Sequence, residues 1–527
     1  MASPAVQAGA VGSAGFGLHL GSSAACVAFT KDGRVDVVAN DLGDRTTPCF
    51  VAFTEHDMAV GFAAKQGYVR NTKNTIYHVK QLLGKPFQDE TTKQFMNKKQ
   101  VQVVNRKEDV AFEVDFKGKV TVFSVSEILE ILFKKLLEIG QSKAGKGCFD
   151  AVLAVPVSFT TDQENLLRQI ATKVGFQVLR IIHEPAAAAL AYDVQQDESC
   201  ISGYVLVFRL GGVSCDVTLI KLCGGIYSIV AGVSDYSLGG DNFTEVLLQH
   251  LQGEFKRQCR HDISDNSRSI AKLQRGAEMC KHALSTVNNS HCSVESLYDG
   301  MDFSTSVSRA RFESLCTSLK NRCVAKIEEV LSNADLQKSD IEKVILCGGG
   351  SKVPLVQKMV SETFPNAKLL NHIPPDEVIA IGAAKETSIL KAFKNKLIPE
   401  SEHQNKVKIL SQAIAVKVRE NRDKTTYKDF QTVFSKSTPI PSHQKFVFSA
   451  SSQESAFFLD VLELDDCPER DEGDENSDKL LASVVMKNIA QEAPISTSFI
   501  LTRDKFLEVV CQEETTNKKL TVQIPVR

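Results

Sequence analysis

The sequence predicts an α/β protein built from two halves of related topology, followed by a shorter antiparallel β-domain. Three observations carry this expectation. From about Gly15 to about Ala392, short β-branched strands alternate with amphipathic helices, which is the α/β signature. Two stretches about 190 residues apart, GLHLGSSAACVAF (Gly17 to Phe29) and VFRLGGVSCDVTL (Val207 to Leu219), both read strand, small-residue turn, strand. Such a repeat, each copy opening a half of similar length, is expected of a duplicated domain. After Phe393 the rhythm breaks, and from about Ser411 strand-like segments follow one another between polar turns.

The elements can be justified in order. Residues 1–14 are small and flexible in composition, without a basic start, a long apolar stretch or arginine. No secretory or mitochondrial leader is therefore expected. DAVLAV, Asp150 to Val155, reads as a buried strand. Thr161 and Glu164 then have capping-box spacing, and Leu166, Leu167, Ile170 and Val174 share one helical face that Gly175 can end. VLRII leads into His183, Glu184 and Pro185, and the proline suits the first turn of an alanine-rich helix. Val344 to Cys347 is another buried strand. It ends in Gly348, Gly349, Gly350 and Ser351, and a helix with Leu355, Val356, Met359 and Val360 on its apolar side follows. The region closes with IPPDEVIAIGAAKETSIL, a proline-led helix whose small face allows close packing.

The α/β region is placed at 15–393 and a polar linker at 394–410. A β-domain at 411–527 comprises AIAVKV, FVFSA, AFFLDVLEL, SVVMKNI, STSFILT, FLEVVCQ and LTVQIPV. The acidic run DDCPERDEGDENSD reads as a solvated loop, and no long helical segment follows the last strand.

Composition narrows the function classes. A chain of 527 residues has room for roughly two to four domains. With 43% hydrophobic and 24% charged residues it has the make-up of an ordinary globular protein. A formal net charge of −2 favours neither direct DNA binding nor an anionic membrane. No apolar run approaches the roughly 20 residues that cross a bilayer. The 14 cysteines include no CxxC pair, and Cys26, Cys215 and Cys347 lie in apolar runs. Buried thiols in a reducing compartment fit better than disulfides or zinc, and the cytosol is the expected location.

A glycine turn alone says little, because glycine serves any tight turn. Three such segments in one α/β chain say more. The turns at Gly21, Ser22 and Ser23 and at Gly211 and Gly212, with the segment opened by Gly348 to Ser351, can cradle anionic oxygens with backbone N–H groups. Two hairpins facing one cleft could grip the phosphates of a nucleotide from both sides.

VANDLGDRTTPCFVAFT, NTIYHVKQLLG, VLRIIHEPAAAALAY, SLYDGMDFSTSVSRARFE and PPDEVIAIGAA together closely resemble the seventy-kilodalton heat-shock chaperones, in order from Gly15 to about Ile389. The resemblance implies an actin-like, ribonuclease H-like duplicated nucleotide-binding domain of two lobes around a cleft that takes ATP. The β-domain would match the family's peptide-binding sandwich, with FSKSTPIPSHQKF its best stretch. Carried over residue by residue, the likeness gives Glu278, Lys281 and Ser285 to the ribose and base, and Gly348, Gly349 and Asp376 to the adenosine loop and closing helix. His282 and Lys352 stand for stacking arginines. Lys80 matches the catalytic lysine, Glu184 and Asp216 match carboxylates around hydrated magnesium, and Ser214 replaces a threonine.

The departures from the family sit at the reacting centre. His19 and Arg209 replace aspartates of the two phosphate hairpins, and Val213 replaces a glycine. Glu164 reverses the charge of an arginine that relays nucleotide state beside Pro156. Val407-Lys408-Ile409-Leu410 is a short, basic counterpart of the leucine-rich linker, and no helical lid or acidic tail is expected. A guanidinium repels Mg²⁺ while binding phosphate oxygens well, so impaired hydrolysis is expected at Lys80, Glu184 and Asp216. Magnesium stays open, because two carboxylates remain.

The combination resembles the family's ribosome-associated type. That implies a heterodimer with a zuotin-type J-domain co-chaperone at the ribosome, assisting nascent polypeptides. The alternatives are a slow but active ATPase chaperone that binds unfolded peptides and, more remotely, an actin-fold sugar kinase.

Overall fold

Each glycine hairpin opens its own sheet. The computed structural model describes residues 14–31, 33–98, 101–194, 202–223, 226–394, 408–421, 427–434, 439–440, 442–452, 454–464, 479–502, 506–513, 516 and 518–526. The chain divides into two compact units, the first spanning 1–194, 204–220 and 229–398, the second 195–203, 221–228 and 399–527.

In the first unit, β1 (Gly15–Leu20) and β2 (Ala24–Lys31) pair antiparallel, and β3 (Arg34–Val37) continues the sheet beyond β2. On the other side β4 (Asp150–Val155) runs parallel to β1. Helix α1 (Thr161–Val174) then leads to β5 (Gln177–His183), parallel to β4, which delivers the chain into α2 (Glu184–Ala191). The order is β5-β4-β1-β2-β3.

The second half repeats the plan with β6 (Ser202–Leu210), β7 (Cys215–Cys223) and β8 (Ile226–Asp235). Helices α3 (Gly240–Cys259) and α4 (Ser267–Leu284) precede β9 (Ile341–Cys347), which is parallel to β6. Helix α5 (Pro354–Thr363), β10 (Lys368–Leu370) and α6 (Val378–Lys394) complete it. The order β10-β9-β6-β7-β8 matches the first sheet strand for strand. Even the turn hydrogen bond recurs: Gly21 N–H donates to Ala24 O at 3.1 Å, and Gly211 N–H to Ser214 O at 2.8 Å.

Parallel strands covered on both faces should read as unbroken apolar runs. Ala151 to Val155 of β4 are accordingly all buried. Each sheet has its own core, one around Phe16, Phe53, Phe133 and Phe176 and one around Phe208, Phe243, Phe255 and Phe303.

One local expectation is corrected and one is refined. The capping box of α1 is Thr160 with Gln163, one residue earlier than the expected Thr161 and Glu164. Both pairs have the spacing, but Gln163 also donates to Leu83 O at 2.7 Å, while Glu164 turns towards His183, 3.4 Å away. The segment Gly349–Lys352 is a 3₁₀ turn, and the helix proper begins at Pro354, where a residue without an N–H costs nothing.

The second unit holds two four-stranded sheets. One runs Tyr427–Phe434, Ala413–Arg419, Ala456–Leu464, Lys479–Lys487, and the other Ser442–Ser449, Pro494–Leu501, Phe506–Glu513, Lys519–Pro525. Neighbours in both pair antiparallel. The sheets share a core of residues such as Val416, Phe457, Phe499 and Val509, the packing of a β-sandwich. The strand Tyr427–Phe434 escaped the sequence reading. It is an edge strand with six of its eight residues exposed, and its pairing shifts register twice. Lys408 and Ile409, expected in the linker, pair as a short strand with Ile440 and Pro439. The leader to residue 13, residues 395–407 of the linker and the acidic run 465–478 lie outside the described residues.

The small face of α6 is required by contact rather than by conformation. A Cβ on Gly382 would sit 1.7 Å from Ala187 O and 2.4 Å from Ala187 C of α2. Neither backbone atom can swing aside. Gly382→Ala should therefore destabilise the chain by about 3 kcal/mol or more, at or above the upper end for overpacking. Gly253→Ala, on an exposed stretch of α3 with nothing within 4 Å, should instead gain up to about 1 kcal/mol. Thermal unfolding of the two variants beside the parent checks both signs.

Candidate nucleotide site

The strand ends bring the candidate residues together. His19 and Arg209 lie one residue before the ends of β1 and β6, just ahead of their glycine turns. Glu184 opens α2 at the end of β5, and Asp216 is the second residue of β7. Lys80 arrives on a 3₁₀ turn, Val79–Leu82. His19, Lys80, Glu184, Arg209 and Ser214 are all buried.

Glu184 is the hub. Lys80 Nζ donates to its Oε1 at 2.9 Å, and His19 Nε2 lies 3.4 Å from the same oxygen. Arg209 Nε stands 2.7 Å from Oε2. The other end of the guanidinium reaches Asp216: Nη1 donates to Oδ2 at 2.6 Å and to Ser214 Oγ at 3.0 Å. Ser214 and Ser234 donate to the two Asp216 oxygens at 2.9 and 2.6 Å. Two carboxylates thus face two permanent cations, and the cluster is close to neutral without any added ion. A cavity of about 150 Å³ lies against it, lined by residues including Pro156, Val207, Gly232 and Val233.

The proton affinities follow from burial and neighbours. Burial lowers the His19 pKa despite the nearby Glu184, so the imidazole stays neutral. Burial would raise Glu184, but Arg209 and Lys80 hold it well below the usual carboxylate range. Burial also lowers Lys80, partly opposed by Glu184. For Arg209, burial opposes the charge while Glu184 and Asp216 more than offset it and raise the pKa.

This arrangement does not fit magnesium. Both carboxylates that would orient a hydrated ion are engaged by one guanidinium, and among the described residues no three His, Cys, Asp or Glu side chains converge to hold a metal. It does fit an anion. Arg209, Lys80 and His19 all bring nitrogens into the cluster, and His19 Nε2 and Arg209 Nε lie 3.4 and 2.7 Å from Glu184 without a well-directed hydrogen bond to it.

The hairpin glycines act through shape. A Cβ on Gly212 would fall 1.9 Å from Ser23 Oγ, so the two turns meet across the cleft. The N–H groups of Gly21 and Gly211 close their own turns, donating to Ala24 O and Ser214 O. Ser22 follows Gly21 in the same turn.

The predicted adenosine residues fall into three groups, with His282 apart from them. Glu278 pairs with Lys65 Nζ at 2.8 Å, joining the helix Phe62–Gly67 of the first half to α4 of the second. Lys281 is buried and donates to Gly240 O at 2.9 Å and Thr244 Oγ1 at 2.7 Å, so it braces the start of α3; Ser285 Oγ donates to Lys281 O. Lys352 pairs with Asp376 at 2.6 Å, and Gly348 N–H donates to Pro375 O, bringing Gly348 and Gly349 beside Asp376. His282 is exposed on α4.

Sequence reasoning missed Lys65, Ser234 and His78. His78 has φ +63° and places Nε2 3.1 Å from Ser23 Oγ and 3.4 Å from Asp241 Oδ2, linking the first hairpin to the start of α3. A left-handed residue without glycine leaves no clear mark in a sequence.

A pH dependence follows from His19. Its folded pKa lies below the ordinary 6.5, so beneath about pH 6.5 the unfolded chain binds a proton that the folded one does not. Stability is then lost as pH falls. Glu184, depressed well below the ordinary carboxylate value of 4.5, contributes only at lower pH. Urea unfolding at pH 7.5 and 5.5 should show a smaller loss for His19→Asn than for the parent, by at most about 1.4 kcal/mol per pH unit.

Comparison with known proteins supplies the family. The family model described as Hsp70 protein matches residues 15–526. Heat shock 70 kDa protein 14 of Danio rerio is 37% identical over 514 residues, 97% of this chain and 98% of that protein. The protein of the same name from Bos taurus is 38% identical over 520 residues, and that from Homo sapiens 37% over 517, each alignment covering 97% of this chain and 99% of the relative. A match of this extent, together with duplicated sheets that meet at paired glycine hairpins, makes the chain a member of the Hsp70 protein family.

Proposed function

We propose that this chain is an ATP-binding chaperone of the family in which hydrolysis is weak or absent. The observation that carries the reading is Arg209, lodged between Glu184 and Asp216. Phosphoryl transfer rests almost wholly on positioning and electrostatics. Here the carboxylates that would order a metal shell and an attacking water are tied to a guanidinium, and a neutral imidazole stands at the position of the other aspartate. Lys80 is drawn onto Glu184. When bound, ATP would supply the anionic oxygens. The chain's part is to hold them with the two hairpins, Arg209 and His19, and to frame the nucleoside with Glu278, Lys281, Ser285, Lys352 and Asp376.

The wider assignment rests on the resemblance to the ribosome-associated type: a zuotin-type J-domain partner, the ribosome and nascent chains. Glu164 supports it, because it is held by His183 at a position where the family's relay uses an arginine. The free cysteines among the described residues, nearly all buried, are in keeping with the cytosol. A slow, active ATPase remains the second reading, favoured by the survival of Lys80, Glu184 and Asp216. The sugar-kinase reading has no support left beside the family match.

Single-turnover hydrolysis with enzyme in excess over ATP tests the proposal. ATP should be captured with product near the uncatalysed background. Arg209→Asp alone should leave turnover low, since His19 remains, whereas His19→Asp combined with Arg209→Asp should raise it at least about tenfold, the scale of one restored electrostatic group or more. Rapid turnover by the parent chain would contradict the proposal. Robust hydrolysis by Arg209→Asp alone would show that Arg209 was the only block.

A further inference from the structure

We infer that Arg209 is a built-in cation that takes the place of the metal, so that the site selects nucleotide free of magnesium. The inference rests on the ATP-binding reading above and goes beyond it by naming the ligand species: a nucleoside triphosphate as its free anion.

Three features point this way. The first is occupancy. One guanidinium contacts both carboxylates available to a divalent ion, at 2.7 Å to Glu184 and 2.6 Å to Asp216, with Lys80 on the remaining Glu184 oxygen at 2.9 Å. Entry of Mg²⁺ would require breaking buried ion pairs and would leave a dication beside two fixed cations. The penalty is steep, because a buried charge stripped of its partner is not re-solvated. Magnesium also keeps several waters in strict octahedral array, and these carboxylates no longer offer their oxygens to such a shell.

The second feature is placement. The guanidinium lies along the glycine turn: a Cβ on Gly211 would come within 3.3 Å of Nη1 and 3.5 Å of Nη2. Its charge therefore sits where the second hairpin would meet phosphate. The third feature is charge balance. Two carboxylates with Arg209 and Lys80 come to zero, with His19 neutral. A tetra-anion gains more from these fixed donors than the same nucleotide already half neutralised by a bound dication. Arginine suits this role because its planar fork can bind carboxylate on one edge and phosphate on another.

The test is a titration of the full chain with ATP by calorimetry, once in EDTA and once in millimolar Mg²⁺. The expected result is an affinity in EDTA several-fold tighter than with Mg²⁺. Arg209→Asp should invert the order, losing at least tenfold in EDTA and regaining affinity when Mg²⁺ is added. Arg209→Lys, which keeps the charge and loses the fork, should stay metal-independent with weaker binding. Binding by the parent chain as tight or tighter with Mg²⁺ would overturn this inference and leave the ATP-binding reading standing. No binding under either condition would overturn both. The comparison on the parent chain decides the matter even if a variant fails to fold.

Discussion

A guanidinium held between two carboxylates organises the centre of this protein. Arg209 and Glu184 belong to different halves of the duplicated fold, one at the end of β6 and the other at the start of α2. Their contact closes the cleft floor with a buried ion pair. Buried pairs of this kind are costly unless every partner is present. The cluster meets that condition by recruiting Lys80, Asp216, Ser214 and Ser234 into one connected network. Removing Glu184 would leave Lys80 without its carboxylate and Arg209 with Asp216 alone, while removing Arg209 would leave two anions facing a single lysine.

The rest of the first unit holds that network in place. The two hairpins share a topology and a turn hydrogen bond, so the residues one position before each strand end, His19 and Arg209, face the same cleft. Contacts between small residues keep the hairpins close: Gly212 against Ser23, and Gly239 against the backbone of Gly212. Across the top, Lys65 and Glu278 join the halves, and His78 ties Ser23 towards Asp241. The nucleotide reading thus depends on a frame whose side chains are mostly committed to one another.

Much of this frame was legible in the sequence, for identifiable physical reasons. DAVLAV and the strand ending at Cys347 announced themselves because parallel strands are buried on both faces. Pro185 marked the start of α2, and Gly175 the end of α1, where φ is +120°. The repeat located both hairpins. Other features depended on three-dimensional partners and left no local trace. Thr160 and Thr161 offered equivalent caps until Gln163 found Leu83. Arg209 was visible as a cation before a turn, but its engagement with both Glu184 and Asp216 was not, because those residues lie 25 positions before it and seven after it in sequence. The edge strand Tyr427–Phe434 was hidden by its exposure, since alternation fades where neither face is well buried.

The central claim is that Arg209 replaces a metal, and it is tested most directly by locating a metal. Crystals of the full chain grown with ATP and excess Mn²⁺, measured at the manganese absorption edge, would show any bound ion by its anomalous signal. The account predicts guanidinium density between Glu184 and Asp216 and no anomalous peak beside either carboxylate. A manganese peak between those carboxylates, with Arg209 turned away, would contradict it.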